Sequence, residues 1–216
     1  MNNGLSLCMV VKDEEKNLKR FLNLVISFID ELVIVDTGSR DNTKNIAKNF
    51  NAKIYDFKWD DDFSKARNFS ISKATMPWIL VLDPDEEIEK KDLVKIRSLI
   101  GKANKNVLGY RLIQKTIYNG KVVSVRGICR LFRRNEKIRF TYPIHETVRE
   151  QIRELGGRIG KTGITIEHYP RISKEKQEYY LRLLMEKKKL FPNSNVDKEI
   201  ENEKRILGLL EKISRY

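Results

Sequence analysis

The sequence is poor in several features, and each shortage narrows what the chain can be. No apolar stretch reaches the ~18 residues that a membrane-spanning helix needs. No secretory leader is expected, because Leu5–Val11 is short and runs at once into Lys12-Asp13-Glu14-Glu15. Cysteine occurs only twice, at Cys8 and Cys129, both in apolar strand-like settings. Such thiols read as core fillers in a reducing, cytoplasmic compartment, not as a disulfide framework. No glycine-rich dinucleotide fingerprint follows the first apolar run, and no Gly-Lys-Ser/Thr phosphate loop occurs. Internal repeats and low-complexity segments are missing as well.

Positive charge is abundant. The net charge of +13 favours polyanions, anionic membrane surfaces or phosphorylated substrates as partners. Acidic residues gather in the first hundred positions, whereas basic ones dominate from Lys102 onward. Arg126, Arg130, Arg133, Arg134, Lys137 and Arg139 form one dense stretch, and Lys187-Lys188-Lys189 lies in a later helix. Solvated helix faces account for such lysines by default.

With 216 residues, 40% of them hydrophobic, the chain is long enough for one ordinary domain with an appendage. Its first hundred residues alternate strand and helix. Strands are expected at Leu5–Val11, Leu32–Val35, Ala52–Tyr55 and Trp78–Leu82. Helices are expected at Glu15–Phe28, from Asp41 to near Phe50, at Phe63–Lys73, and from Lys91 to Ile100 with a stop at Gly101. This order implies a parallel sheet covered on both faces. The pattern then turns antiparallel. Val107–Ile117 and Val122–Val125 flank a hairpin turn at Tyr118-Asn119-Gly120-Lys121, and Ile128–Arg133 and Ile164–His168 add further strands. Two amphipathic helices, Ser173–Phe191 and Val196–Ile213, close the chain around Pro192-Asn193-Ser194-Asn195.

The strand ends carry the chemistry. The first ends in Lys12-Asp13-Glu14, the second in Asp36-Thr37-Gly38-Ser39-Arg40-Asp41, and the fourth in Asp83-Pro84-Asp85-Glu86-Glu87. Parallel strands bring these ends to one edge, and ligands bind there where the strand order reverses. Asp83 and Asp85 can hold a divalent cation through hard oxygen ligands, which points to a phosphate-bearing substrate. Glu86 and Glu87 are well explained as the start of the following helix. Asp83 is not, because a carboxylate at the tip of a buried strand needs a partner. Lys65 and Arg67 face either the crevice or solvent; spacing leaves both open. Among the histidines, His145 and His168, a neutral imidazole can complete a mixed oxygen–nitrogen set of the kind that suits manganese. Glu146 is placed to take a proton from an incoming hydroxyl or thiol.

Taken together, residues 5 to about 170 resemble the family 2 glycosyltransferases with the GT-A fold. The resemblance rests on Val10-Val11-Lys12-Asp13-Glu14-Glu15, Val35-Asp36-Thr37-Gly38-Ser39-Arg40-Asp41-Asn42-Thr43, Ala66-Arg67-Asn68 and Leu82-Asp83-Pro84-Asp85-Glu86. The later Arg130-Leu131-Phe132-Arg133 and His145-Glu146 look like the branch with lipopolysaccharide-core glucosyltransferases and bacterial peptide glycosyltransferases. Pro84 departs from it, standing where a small residue is commoner, as does Lys12-Asp13 before Glu14. The resemblance implies an α/β fold, a Rossmann-like mixed sheet flanked by helices. It implies a catalytic domain over residues 1–170 and a two-helix appendage over 171–216.

It also implies roles. Asp36 would bind the nucleotide base, Asp13 or Glu14 would lie near the nucleoside, and Asp83 would reach the ribose. Arg67 would lie near the nucleotide or pyrophosphate, and Val11, Lys65 and Arg130 belong to the same nucleotide-sugar-binding set. Asp85 and His168 would hold Mn2+ or Mg2+, and Glu146 would be the catalytic base of an inverting transfer. The donor would be a nucleotide sugar, UDP-linked by expectation, and the acceptor a saccharide, a lipid-linked molecule or a peptide.

Two other readings compete. A non-enzymatic module for nucleic acid or anionic membranes would use the basic second half, but the acidic first half argues against a nucleic-acid partner. A nucleotidyltransferase would need a glycine-rich basic phosphate loop after the first strand, which is missing. The basic C-terminal helices either pack on the catalytic domain or touch the inner face of the membrane.

Overall fold

The computed structural model of the chain describes residues 3–192 and 196–213, with side chains described as far as residue 207. The expected turn residues Asn193, Ser194 and Asn195 lie outside the described residues. Strands β1 (Leu5–Val11), β2 (Glu31–Asp36), β3 (Lys53–Asp56) and β4 (Trp78–Val81) alternate with helices α1 (Glu15–Val25), α2 (Thr43–Lys48) and α3 (Phe63–Ser72). Then follow β5 (Glu86–Ile88), α4 (Lys90–Lys102), β6 (Val107–Tyr118), β7 (Lys121–Arg133), α5 (Arg149–Glu154) and β8 (Arg158–His168). Helices α6 (Lys174–Leu190) and α7 (Val196–Ile213) complete the order.

All eight strands join one mixed sheet in the order β3-β2-β1-β4-β7-β6-β8-β5. Pairs β1–β2, β1–β4 and β2–β3 are parallel, while β4–β7, β6–β7 and β5–β8 are antiparallel. The chain first builds outward from β1 through β2 to β3, then returns to the other flank of β1 with β4. The order therefore reverses between β1 and β4, where a crevice opens beyond their carboxyl ends.

Alternation along the strands sorts the core into two layers. Leu5, Leu7, Met9 and Val11 of β1 join Leu18, Phe21 and Leu22 of α1 and Leu93, Ile96 and Ile100 of α4 on one face. Cys8 of β1 joins Val33, Val81, Ile71 of α3, Phe132, Phe140 and Ile152 of α5 on the other. A third cluster holds Ile144 against Leu183, Leu184 and Val196 of the last two helices, with Phe63 and Tyr180 packed on it.

Several elements differ from expectation. Glu86 and Glu87 do not start a helix; they form β5, paired with β8, and α4 begins only at Lys90. Glu86 tolerates the buried position, 1% exposed, because Gln114 and the amide of Asp83 donate to its carboxylate. Helix α4 runs through Gly101, since buried Ile100 carries the turn onward and the chain leaves the helix only at Ala103, with ψ 125°. The segments expected at Val122–Val125 and Ile128–Arg133 are one strand, held throughout by pairing to β6. Strand β8 starts at Arg158, ahead of Ile164, because residues 158–161 pair with β6. Helix α5 was not expected.

On α6 the apolar side holds at Leu183 and Leu184, both fully buried, but Leu190 is 69% exposed. Lys187 breaks the rule for solvated lysines. It is buried at 2% exposure, because its stem packs inward and its ammonium finds partners there. No helix among the described residues is long and apolar enough to cross a membrane.

Both cysteines are buried. Burial pushes the Cys129 thiol up to about 12 and Cys8 higher still. Neither should form the reactive thiolate near neutrality. A bulky aromatic disulfide reagent is therefore expected to find no reactive thiol in the folded chain and both after unfolding in denaturant.

Candidate active site

The ends of β1 and β2 are tied together through their loops. The amide of Asp13 donates to Ser39 Oγ at 2.9 Å, and the amide of Arg40 donates to Asp13 Oδ1 at 2.8 Å. The amide of Glu14 donates to Thr43 Oγ1 at 2.8 Å. The Val11 carbonyl accepts from the Thr37 amide at 3.0 Å. Asp13 sits at φ +53°, a conformation that Asp tolerates better than most residues. Asp36 ends β2 at 1% exposure, and its Oδ1 accepts from the amides of Gly38 and Ser39. Its Oδ2 is buried with no hydrogen-bond partner among the described residues. A buried carboxylate oxygen without a protein partner is an exception in a folded chain.

At the end of β4 lies a dense cluster of opposite charges. Arg67 of α3 grips Asp83 bidentately, Nη1 to Oδ1 at 3.1 Å and Nη2 to Oδ2 at 2.9 Å. Arg130 of β7 donates to Asp83 Oδ2 at 2.8 Å. Arg67 Nε also donates to Glu146 Oε1, and Arg130 Nη2 lies 3.9 Å from that oxygen. Arg130 Nη1 stands 3.6 Å from Glu86 Oε2. Two guanidiniums and three carboxylates thus share one buried site.

The charges respond to that arrangement. Burial works against ionised Asp83, but Arg67 and Arg130 outweigh it and hold its carboxyl far below the usual range. Burial likewise opposes Glu146, and the same two guanidiniums keep it lowered. Glu86 goes the other way: burial raises it and Asp83 adds repulsion, with Arg130 only a partial offset. Burial also raises Glu14, with Asp85 adding to the shift and Asn17 and Arg171 opposing it.

Helix α3 braces the loop that presents Glu146. Asn68 Nδ2 donates to the Phe140 carbonyl at 2.9 Å, and the Phe140 amide returns a bond to Asn68 Oδ1 at 2.8 Å. The Phe63 amide donates to the Pro143 carbonyl at 2.8 Å. Thr141 and Thr147 pair across the loop's neck. Ala66-Arg67-Asn68 therefore acts from one helix turn on both the strand end and the loop.

Asp85 and His168 meet because β5 pairs with β8. Glu86 lies opposite His168 in the ladder, and the Tyr169 amide donates to the Asp85 carbonyl at 2.9 Å. Asp85 Oδ2 and His168 Nε2 are 3.4 Å apart, with both side chains about a fifth exposed, at 20% and 22%. No group of three or more metal-ligating side chains occurs among the described residues. One carboxylate and one imidazole fit a divalent cation that takes its remaining ligands from phosphate oxygens and water.

Lys65 lies outside this cluster: its ammonium pairs with Asp60 at 2.6 Å, and its side chain is 58% exposed. Val11 is buried, and its carbonyl is taken by the amide and hydroxyl of Thr37. Tyr180 of α6 reads in the sequence only as part of that helix's apolar side, not as a neighbour of the site. Its ring packs on the cluster that holds Ile144 and meets Phe63 edge-on at 6.1 Å, which brings α6 against the loop of Glu146; burial raises its hydroxyl, and the carboxylates of Asp85, Asp83 and Glu146 add to the shift. Gln114, which joins Glu86 to Arg126, was missed too. Neither carries a local signal, since both act across elements distant in sequence.

Comparison with known proteins gives this fold and site a family. Residues 6–155 match the family model described as "Glycosyl transferase family 2". The chain belongs to glycosyl transferase family 2. It is 42% identical over 151 residues to a TPR repeat-containing protein of Synechococcus elongatus, covering 70% of this chain and 37% of that one. It is 33% identical over 146 residues to the glycosyltransferase SunS of Bacillus subtilis, covering 64% and 33%. The chain thus matches little more than a third of those relatives' lengths. Among solved structures, Staphylococcus aureus TarS (residues 1–349) in complex with UDP-GlcNAc superposes with a TM-score of 0.62 at 18% identity, covering 96% of this chain and 71% of that one. Mycobacterium tuberculosis glucosyl-3-phosphoglycerate synthase, in complex with Mn2+, UDP and glucosyl-3-phosphoglycerate, gives 0.56 at 13% identity, covering 85% and 80%. These likenesses show a shared GT-A fold.

Removing Asp83 would leave two buried guanidiniums facing each other. Asp83→Asn is expected to cost about 3 kcal/mol of stability at neutral pH. A carboxyl lowered on folding stabilises above its unfolded pKa of about 3.9 and ceases to do so as pH falls through its folded value. Thermal unfolding followed between pH 3 and 7 should show the parent losing stability below about pH 4. The variant should start lower and lose less on acidification.

Proposed function

We propose that this chain moves a sugar from a UDP-sugar to a nucleophilic acceptor, with a divalent cation, Mn2+ or Mg2+, and with inversion at the anomeric carbon. The observation that carries this reading is the division of labour among three carboxylates at the ends of β4 and its neighbours. Asp83 is committed to Arg67 and Arg130. Asp85 stands beside His168, free of those guanidiniums among the described contacts. Glu146 takes the Nε of Arg67, whose two Nη groups hold Asp83.

Asp36 supports recognition of the base, since its unpartnered Oδ2 can accept from a ring N–H. Asp85 and His168 would hold the cation. When bound, such a cation neutralises charge that grows on a departing diphosphate. Arg67 and Arg130, both paired with Asp83, brace the floor of the crevice beneath the same leaving group. Glu146, kept ionised, accepts the proton of the attacking hydroxyl or thiol while the anomeric carbon–oxygen bond to diphosphate breaks. One in-line displacement turns an α-linked donor into a β-linked product. The saccharide, lipid-linked and peptide classes of acceptor all offer such a nucleophile.

A panel of nucleotide sugars incubated with manganese should give nucleoside diphosphate release from a UDP-sugar, lost on chelation and lost in Asp85→Asn. Near-parental, metal-dependent release in that variant would count against the assigned ligand. Glu146→Gln is expected to keep UDP-sugar binding by calorimetry while turnover falls by about a hundredfold or more. Lost donor binding there would make Glu146 part of the framework instead.

A further inference from the structure

Helices α6 and α7 are tied to the loop carrying Glu146 by more than apolar packing. Buried Lys187 of α6 donates to Glu199 Oε2 of α7 at 2.8 Å, and its ammonium lies 4.6 Å from the centre of the Tyr142 ring. The same Glu199 oxygen stands 3.3 Å from His145 Nδ1. Tyr142 and His145 both lie at positive φ, +76° and +53°, on either side of Pro143 and Ile144. Such backbone persists where its surroundings over-determine it, and it gathers at working sites. Ile144 is buried among Leu183, Leu184 and Val196, so the loop is gripped on its apolar side as well.

Glu199 is the hinge of these contacts. Burial opposes its charge, but His145 and Lys187 outweigh burial and hold it below its ordinary range. Glu203 of α7, with Arg126 of β7, also faces this region, and burial raises Glu203 while His145 and Arg126 oppose the shift. An ionised, doubly paired Glu199 is thus the fixed point between the helix pair and the residue next to Glu146.

We propose that Glu199 is a positioning residue for the transfer: through His145 it holds the left-handed conformation of that residue in the 142–145 loop, and thereby the direction in which Glu146 is presented. The C-terminal helices are then a working part of the site and not only its cover. The inference deepens the transferase reading, and its kinetic half rests on it.

The test uses the full chain and two readouts. Hydrogen exchange without substrate should show the amides of residues 141–147 exchanging about tenfold faster in Glu199→Gln, with those of β1 unchanged. Turnover, read as UDP release from the most active UDP-sugar of the donor panel, should fall about tenfold in kcat with KM held within about twofold. His145→Asn keeps a side chain that tolerates positive φ and removes the imidazole. It should reproduce both effects, and the double variant should be no worse than the worse single one. Parental loop exchange in Glu199→Gln would overturn the proposal. So would a rise spread evenly over the chain, or losses that add in full in the double variant. Should Glu199→Gln fail to fold, His145→Asn takes its place in both measurements: a faster-exchanging loop with lowered kcat supports the coupling, and parental exchange overturns it. A parent that turns over no nucleotide sugar would sink the transferase reading, while exchange would still decide the coupling.

Discussion

The arrangement depends on one carboxylate held by two guanidiniums. Asp83 lies two residues beyond β4, whose residues are all apolar and buried, and ionised there alone it would be untenable. Arg67 comes from a helix and Arg130 from an antiparallel strand, so a single side chain ties three elements together where the sheet reverses its order. Such a group is costly to bury and costlier to break. It joins the end of β4, helix α3 and strand β7 at one point.

The neighbouring carboxylates inherit distinct environments from that clamp. Glu146 shares Arg67 with Asp83 and is held ionised. Glu86, pressed against Asp83 in a dry setting, is pushed the opposite way and relies on Gln114 and a backbone amide. Asp85 escapes the guanidiniums and meets His168 through the β5–β8 ladder. In the proposed mechanism these differences become roles, framework, base and cation ligand, with no change of residue chemistry beyond Asp and Glu.

Much of this was legible in the sequence where local pattern and site coincide. Buried parallel strands announce themselves as unbroken apolar runs, so β1, β2 and β4 were read to within a residue or two, and the polar groups at their ends followed. The demand that Asp83 find a partner was a physical necessity readable from Leu82-Asp83 alone, though its partners were not named. What stayed hidden was long-range. Glu86 looks like a helix start until Gln114 and His168 are brought beside it by pairing. Lys187 looks solvated until Glu199 and Tyr142 surround it. Lys65 and Arg67 differ by two positions on one helix, and only the packing of α3 decides that one meets Asp60 and the other the buried cluster.

The most direct check of the central claim is manganese anomalous diffraction from crystals of the chain grown with UDP and manganese. The account predicts a single peak in the crevice, between Asp85 and His168, with Asp83 still bridging Arg67 and Arg130. A peak ligated by Asp83 with its guanidiniums released, or bound UDP with no manganese at that pair, would contradict it.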